Sequence, residues 1–367
     1  MKKNNKLQPI ALAAGGTGGH IFPAQAVAEL FINSHKLFLV TDQRGTKFLK
    51  GALLKAEKEV LPVKGFTTSS INDKTCALTG LIFSFLKLFF KFFLKRPSIV
   101  IGFGGYPSVP AIMAAFFHQI PTIIHEQNAV MGKANKFLAN FVDVVALSFK
   151  NTLNVEGIAN DKVVYTGNPV RQQIFALSDR PYKKLDKNIF KILVINGSQG
   201  AAIFSHAIPQ AVKLLDPKIQ ENLYIYQQAR QDLLQKTIDE YHSTKSKVEI
   251  KSFFEDIENL LYKCDLVIAR AGAATVTEII VSRKPSILIP FAAAQNNHQF
   301  FNAKFLSDQQ ASILIEEKEL TPELLAKTIS ELITNTEEFS KLQAAMKKVK
   351  CQNSVQALAD LILKLNA

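Results

Sequence analysis

Ala13-Ala14-Gly15-Gly16-Thr17-Gly18-Gly19-His20 is the stretch on which the reading of the chain turns. It follows a short apolar run, Pro9 to Ala14, and precedes an apolar-periodic segment, Ile21 to Phe31. That order reads as strand, glycine turn, helix. Four glycines let the backbone turn tightly and expose consecutive N–H groups, and the helix start beyond them carries partial positive charge. Such a turn favours a phosphate or another anionic oxygen. The spacing is not Gly-x-Gly-x-x-Gly, and no acidic residue stands where a dinucleotide fold needs a ribose ligand. An anion or sugar site of open type fits the stretch, and so does a purely structural tight turn.

Around this stretch lies a chain of 367 residues, long for one core, so two domains are expected. Hydrophobic residues at 47% and charged residues at 20% suit a folded globular protein rather than a disordered one. Cys76, Cys264 and Cys351 are scattered and odd in number, which points to buried thiols in a reducing compartment rather than a disulfide or metal framework. The formal charge of +13 suits nucleic acid, an anionic membrane surface or anionic small substrates. The start is basic, but Pro9 to Ala14 is too short for the apolar region of a signal peptide, so it reads as a mature cytoplasmic start.

Taken in order, strand-like runs alternate with helical ones: Leu37 to Val40, Ile99 to Ile101, Thr122 to Ile124, Val142 to Phe149 and Val163 to Tyr165. Polar or glycine-rich clusters follow three of them: Gly102 to Ser108, His125-Glu126-Gln127-Asn128, and Thr166 to Arg171. Open α/β sheets bind ligands at that carboxyl edge. Ser178 to Asn188 is polar and lysine-rich, a linker. The pattern then restarts with Phe190 to Ile195, the turn Asn196 to Gly200, further strands, the turn Arg270 to Ala274 with its helix, and an amphipathic terminal helix from Val355 to Leu365. Two α/β domains in tandem are expected, over residues 1–177 and 178–345, with 346–367 as a terminal helix packing back on the first.

Leu78 to Arg96 stands apart. Lys87, Lys91 and Lys95 recur every four residues and form one stripe on a helix, while Phe85, Leu88, Phe89, Phe92 and Phe93 cover most of the remaining circumference. The uncharged run before Lys87 is about half of the ~20 residues a spanning helix needs. A basic stripe beside an aromatic face suits a helix lying in a membrane interface, and a helix packed on a sheet with its lysines in water fits as well. In the second half, small residues at Gly272, Ala273 and Ala274 let a ligand approach the helix start, where free amides hold a diphosphate without metal. Glu278, one turn on, is placed to accept both hydrogen bonds of a ribose diol, or serves only as a favourable charge near a helix start.

Seven motifs occur in one order: Gly15-Gly16-Thr17-Gly18-Gly19-His20, Gly104-Gly105-Tyr106-x-Ser108, His125-Glu126-Gln127-Asn128, Gly167-Asn168-Pro169-Val170-Arg171, Gly197-Ser198-Gln199-Gly200, Arg270-x-Gly272-Ala273-x-Thr275-x-x-Glu278 and Asn297-His298-Gln299. The series resembles the bacterial N-acetylglucosaminyltransferases of peptidoglycan synthesis, in glycosyltransferase family 28. The resemblance implies an α/β fold of two Rossmann-like domains facing across a cleft, the glycosyltransferase B fold. It also implies UDP-N-acetylglucosamine as donor and lipid I, a muramoyl pentapeptide on a polyprenyl diphosphate, as acceptor.

Carried over by position, Glu278 binds the ribose, and Ser198 with the amides of Ala273, Ala274, Thr275 and Val276, beside Thr277, hold the diphosphate. Phe254 presents backbone to the uracil and Gln299 binds the sugar hydroxyls. Thr17, Gly18, Gly19, Asn128 and Arg171 complete the donor site, and Gly104, Gly105, Tyr106, Ser108 and His125 face the acceptor. The implied reaction is inverting transfer to the muramoyl C4 hydroxyl, with His20 the candidate base and Glu126 the second candidate. A capping or orienting histidine at a helix start is the other reading of His20.

No Asp-x-Asp pair of the metal-dependent kind is present, so no metal site and no cofactor is expected beyond magnesium loosely bound to the nucleotide. The resemblance further implies peripheral attachment to anionic lipids on the cytoplasmic face of the bacterial inner membrane, through Phe85, Lys87, Phe89, Lys91, Phe92 and Lys95. Other cell-wall synthesis or division proteins are the implied partners. Two departures stand out: Asn196 occupies a position where the family usually has glycine, and Ala292-Ala293-Ala294 makes the sugar-side loop bland. A UDP-N-acetylglucosamine 2-epimerase or glycolipid synthase would share the donor site, but an epimerase has no use for the Phe/Lys helix. A nucleic-acid-binding protein would interleave basic and stacking residues along a groove, whereas here the aromatics cluster in one helix.

Overall fold

The computed structural model describes residues 8–63, 71–181, 188–197 and 201–366. Two compact units divide the chain, Met1–Arg171 with Gln352–Ala367, and Gln172–Cys351. The first boundary lies six residues before the expected 177, because the short helix Gln172–Phe175 packs on the helix Ala273–Ser282 and buries Ile174 in the second unit. The second lies after Met346 and Val349, both buried within the second unit.

The first unit is a seven-stranded parallel sheet: β1 (Ile10–Ala13), β2 (Leu37–Asp42), β3 (Glu57–Leu61), β4 (Ile99–Gly102), β5 (Thr122–Glu126), β6 (Val144–Leu147) and β7 (Val163–Tyr165), in the order 3-2-1-4-5-6-7. β1 and β4 are buried along their whole length, as central parallel strands covered on both faces must be. Alternation sends Ile10 and Leu12 to one face and Ala11 and Ala13 to the other. The first face is covered by the helix Gly18–Phe31 and by Leu358, Ala359 and Ile362 of the terminal helix Ser354–Leu365.

The second unit repeats the plan with six parallel strands: β8 (Phe190–Ile195), β9 (Leu223–Gln228), β10 (Lys247–Lys251), β11 (Leu266–Ala269), β12 (Ser286–Leu288) and β13 (Ser312–Leu314), in the order 10-9-8-11-12-13. In each sheet the winding reverses once, between β1 and β4 and between β8 and β11. A doubly wound sheet opens its ligand crevice at that reversal, beyond the carboxyl ends of the strands. Ala14–Thr17, Phe103–Pro107, Asn196 with Gly197, and Arg270–Gly272 fall there.

The phenylalanine-rich helix spans Ile71–Leu94 and corrects the sequence expectation about its faces. Phe92 is 1% exposed and packs edge-on against Phe38 at 6.2 Å, so it belongs to the core. The lysine stripe is turned to β3: Lys87 meets Glu59 at 2.6 Å, Lys91 meets Glu59 at 2.9 Å, and Lys95 pairs with Glu57. Burial opposes the charge of Glu59, but Lys87 and Lys91 outweigh it and hold its carboxyl below the ordinary range. The stripe is therefore matched within the fold. Phe85 and Phe89 are half-buried against Phe117 and His118. The outward residues are Ile82, Phe83, Leu86, Phe90, Phe93 (72% exposed) and Leu94 (84%), with Phe117 beside them. By length and composition Thr75–Leu94 suffices to cross a membrane, the one such helix among the described residues. Its buried face and three lysine pairs make it a surface helix of this unit.

Candidate functional site

At the first reversal β1 ends at Ala13, level with Val40 of β2 and Gly102 of β4. The turn beyond it is clamped from both sides. Gly16, at φ +83°, donates its N–H to Asp42 Oδ1 at 2.9 Å. From the β4 side, Gly105 lies against the turn so closely that a Cβ there would come within 2.6 Å of the Gly15 carbonyl oxygen. Ser108 Oγ accepts the Gly104 N–H at 3.0 Å and lies 3.0 Å from the Ala13 carbonyl. That hydroxyl is fully buried, so Ser108 fastens one glycine turn to the other and does not face an acceptor. Gly104 and Gly105 have φ of +97° and +77°, and Tyr106 beside them is half-buried.

The helix begins at Gly18, with no side-chain cap from Thr17, leaving the Gly18 and Gly19 amides at its first turn. His20 bends back so that Nδ1 lies 2.8 Å from the Gly15 carbonyl. A carbonyl only accepts, so Nδ1 carries the proton and Nε2 is the nitrogen able to take one. A Cβ at position 104 would sit 3.0 Å from Nε2, so Gly104 is what lets the ring occupy this place.

The polar run after β5 is mostly internal. His125 is fully buried; its Nε2–H donates to the Gly167 carbonyl at 2.9 Å, and Nδ1 accepts from Gln127 Nε2 at 3.0 Å. Burial pushes its pKa down to about 4. It is a neutral pin between β5 and the Gly167 loop, which corrects its assignment to the acceptor side. Glu126 is corrected too. One oxygen accepts the Asn128 N–H at 3.0 Å; the other accepts from the Gly132 N–H at 3.0 Å and Asn135 Nδ2 at 2.8 Å. A buried carboxylate so occupied folds the loop that presents Asn128, and it does not serve as a base. Arg171, half-buried, ends the first of the two segments that make up this unit.

At the second reversal the departure at position 196 has a physical reason. Asn196 donates its side-chain N–H to the Gln228 carbonyl at 2.7 Å, tying the ends of β8 and β9 together. Gly197 follows with φ +75°; Ser198, Gln199 and Gly200 lie outside the described residues. After β11, Gly272 is the extended N-cap of the helix Ala273–Ser282, with no side-chain cap. Val276 already donates to the Gly272 carbonyl at 2.9 Å, so the amides without a helical acceptor are those of Ala273, Ala274 and Thr275, and Val276 leaves the set. Thr277 donates its hydroxyl to the Ala273 carbonyl at 2.8 Å, and Glu278 is half-buried one turn along. The Phe254 ring is buried just beyond β10.

Arg270 opens the sixth motif, but its partner Glu317 carried no signal in the sequence. Arg270, buried and stacked on Phe204 and Phe291, donates to the Ile289 and Pro290 carbonyls and pairs with Glu317 at 2.8 Å. Glu317 also accepts the Ala292 N–H at 2.8 Å, so it holds the alanine loop that looked bland in sequence. Gln299 Oε1 accepts the Phe291 N–H at 3.0 Å from the same loop, and His298 bonds the Gln295 carbonyl at 2.7 Å. Burial works against the Glu317 charge, and Arg270 with the Ala292 amide outweighs it, keeping the carboxyl below its ordinary value. Among the described residues no group of three His, Cys, Asp or Glu is placed to hold a metal ion.

Two doubly wound units, the second with a helix start that has no side-chain cap one turn before a carboxylate, have the architecture of the glycosyltransferase B fold. The glycosyltransferase family 28 N-terminal domain matches residues 10–147 and the family's C-terminal domain matches residues 191–362. The chain belongs to glycosyltransferase family 28. It is 39% identical to the UDP-N-acetylglucosamine–N-acetylmuramyl-(pentapeptide) pyrophosphoryl-undecaprenol N-acetylglucosamine transferase of Zymomonas mobilis, over 96% of this chain and 91% of that protein. The enzyme of the same name from Rhodospirillum centenum is also 39% identical, over 97% and 94%. The crystal structure of Acinetobacter baumannii MurG superposes with a TM-score of 0.78 at 27% identity, over 97% and 99% of the two chains. A UDP-N-acetylglucosamine 2-epimerase shares the fold alone, at 15% identity and a TM-score of 0.65.

Proposed function

We propose that this glycosyltransferase moves N-acetylglucosamine from UDP-N-acetylglucosamine to the C4 hydroxyl of lipid I, giving lipid II and UDP in peptidoglycan synthesis. The observation that carries the reading is the near-full-length identity to transferases named for this reaction, joined to the uncapped helix start before Glu278. The acceptor hydroxyl passes its proton to His20 Nε2 as its oxygen attacks C1, the bond from C1 to the diphosphate breaks, and the anomeric configuration inverts. The charge that develops on the leaving diphosphate meets the amides of Ala273, Ala274 and Thr275, which are fixed before the reaction begins. Those amides supply the electrostatic stabilisation, so the step needs no resident cofactor. Glu278 takes the ribose, and Gln299 the sugar.

Attachment to the cytoplasmic face of the inner membrane runs through Phe83, Phe90, Phe93, Leu94 and Phe117, with the exposed Lys133 and Lys136 toward anionic lipid. Transfer of labelled N-acetylglucosamine to authentic lipid I tests the whole reading; purified protein that yields no lipid II sinks it. Liposome flotation tests the attachment: Phe90→Ser with Phe93→Ser releases the protein at unchanged melting temperature, and undiminished flotation removes this face from the reading.

A further inference from the structure

We infer that Asp42 acts on His20 through the peptide group joining Gly15 to Gly16, as a carboxylate–peptide–imidazole relay. The inference rests on the reading of His20 as the base. That one peptide is held at both ends: its carbonyl accepts the His20 Nδ1–H at 2.8 Å, and its N–H donates to Asp42 Oδ1 at 2.9 Å. The two bonds leave opposite sides of one conjugated planar group. A carboxylate on the N–H therefore pushes electron density toward the carbonyl oxygen, and the imidazole N–H meets a stronger acceptor. A carboxylate bonded directly to a catalytic histidine fixes its tautomer and stabilises its imidazolium. Here the same influence arrives one peptide removed.

The surroundings are built for it. Asp42 is 2% exposed, and its Oδ1 also accepts the Gly45 N–H at 2.7 Å. A Cβ on Gly45 would run into the Thr41 hydroxyl and lie 3.3 Å from Gly15 Cα, so only glycine lets this amide reach the same oxygen. Gly105 covers the Gly15 carbonyl from the other side, and the Thr17 N–H, at 3.1 Å, completes its hydrogen bonding. Arg44 takes the second carboxylate oxygen, Oδ2, at 3.3 Å. Its charge offsets the long-range field of Asp42, so the bonded peptide is the principal path to the ring. Among the described residues the charged and titratable groups on the elements packed around the turn are Asp42 at the end of β2, Arg44 and Lys47 beyond it, Tyr106 after β4, and His125 and Glu126 at the end of β5. His125 is neutral, and Glu126 is engaged by its own loop.

Asp42→Asn separates charge from shape, because the amide oxygen still accepts from Gly16 and Gly45 while the negative charge is gone. The test is an NMR titration of the His20 ring in the full chain, assigned with His20→Gln, beside the pH profile of kcat/KM. The wild type shows the Nδ1–H tautomer. In Asp42→Asn the His20 pKa falls by about half a unit or more, and the acid limb of kcat/KM moves down with it. Arg44→Gln, at a half-exposed position, moves the His20 pKa the opposite way and carries the test if Asp42→Asn does not fold. An Nε2–H tautomer in the wild type, or a His20 pKa unmoved in both variants, overturns the relay. The ring pKa is read without turnover, so full transfer by His20→Gln would end the base assignment while leaving the relay measurable.

Discussion

The turns at the two reversals share a design and differ in what they do with their amides. After β1 the glycine turn spends its polarity inside the protein: Gly16 on Asp42, the Gly15 carbonyl on His20, the Ala13 carbonyl beside Ser108. After β11 the helix start of Ala273 to Thr275 has Gly272 as its N-cap and no side-chain cap, a lack it shares with the helix start at Gly18. A turn whose loop groups are tied to side chains, as Gly15 and Gly16 are to His20 and Asp42, holds a side chain still, whereas helix-start amides without a side-chain partner have something to offer an anion. Glycine richness alone does not distinguish them, since the partners that saturate the first turn come from β2 and β4. The first turn is thus read as the mount of a base and the second as the seat of a leaving group.

Four variants break or sharpen that contrast. His20→Gln, in the saturated turn, lowers kcat by about 10²- to 10⁴-fold at unchanged calorimetric affinity for UDP; a parallel loss of UDP affinity would place both functions in one turn. The neutral His125 that supports this half is the next largest effect. In the open chain a histidine titrates near 6.5, but this one holds out to about 4, so below 6.5 the unfolded chain binds a proton that the native state refuses. Stability is complete above that range and declines as pH falls through it, by on the order of 3 kcal/mol in all. Denaturant midpoints of His125→Gln, compared at pH 7 and pH 5, show a flatter dependence than the wild type; equal slopes would mean the ring is protonated in the fold.

In the uncapped turn the effects are smaller and confined to the donor. Glu278→Ala weakens UDP by about 10- to 100-fold, the loss of hydrogen bonds to a charged group, and calorimetry that finds no change removes Glu278 from the ribose. Ala273→Pro deletes a single amide where helices tolerate proline, after a Gly272 already extended at ψ 144°. UDP affinity falls by about 3- to 10-fold at constant melting temperature. Unaltered affinity would leave the helix start without its ligand.

The plan of the fold was readable because buried parallel strands are near-continuous apolar runs and the turns after them are glycine-rich. Less readable was which polar residues face outward. His125, Glu126 and Ser108 sit at strand ends, where substrate ligands and buried pins use the same side chains, and only the partners decide between them. Gly167, Asn135 and Ala13, which claim those groups, lie 42, 9 and 95 residues away in the chain. The phenylalanine-rich helix failed for a related reason. Apolar residues cover so much of its circumference that periodicity does not choose a face, and the choice was made by Glu57 and Glu59 on β3. Asp42 lies two residues past the apolar run Leu37 to Val40, where nothing in the sequence singles it out, and its grip on Gly16 depends on register between β1 and β2.

The terminal helix carries a consequence for how the molecule is made. Leu358, Ala359 and Ile362 close the core over Ile10 and Leu12, so the unit whose synthesis starts first lacks part of its interior until the second has been translated. At the ribosome the second unit has its complete sequence earlier, while the first waits with one sheet face only partly covered, by the helix Gly18–Phe31. The core beneath the glycine turn that holds His20 is therefore complete only after the chain has returned to it.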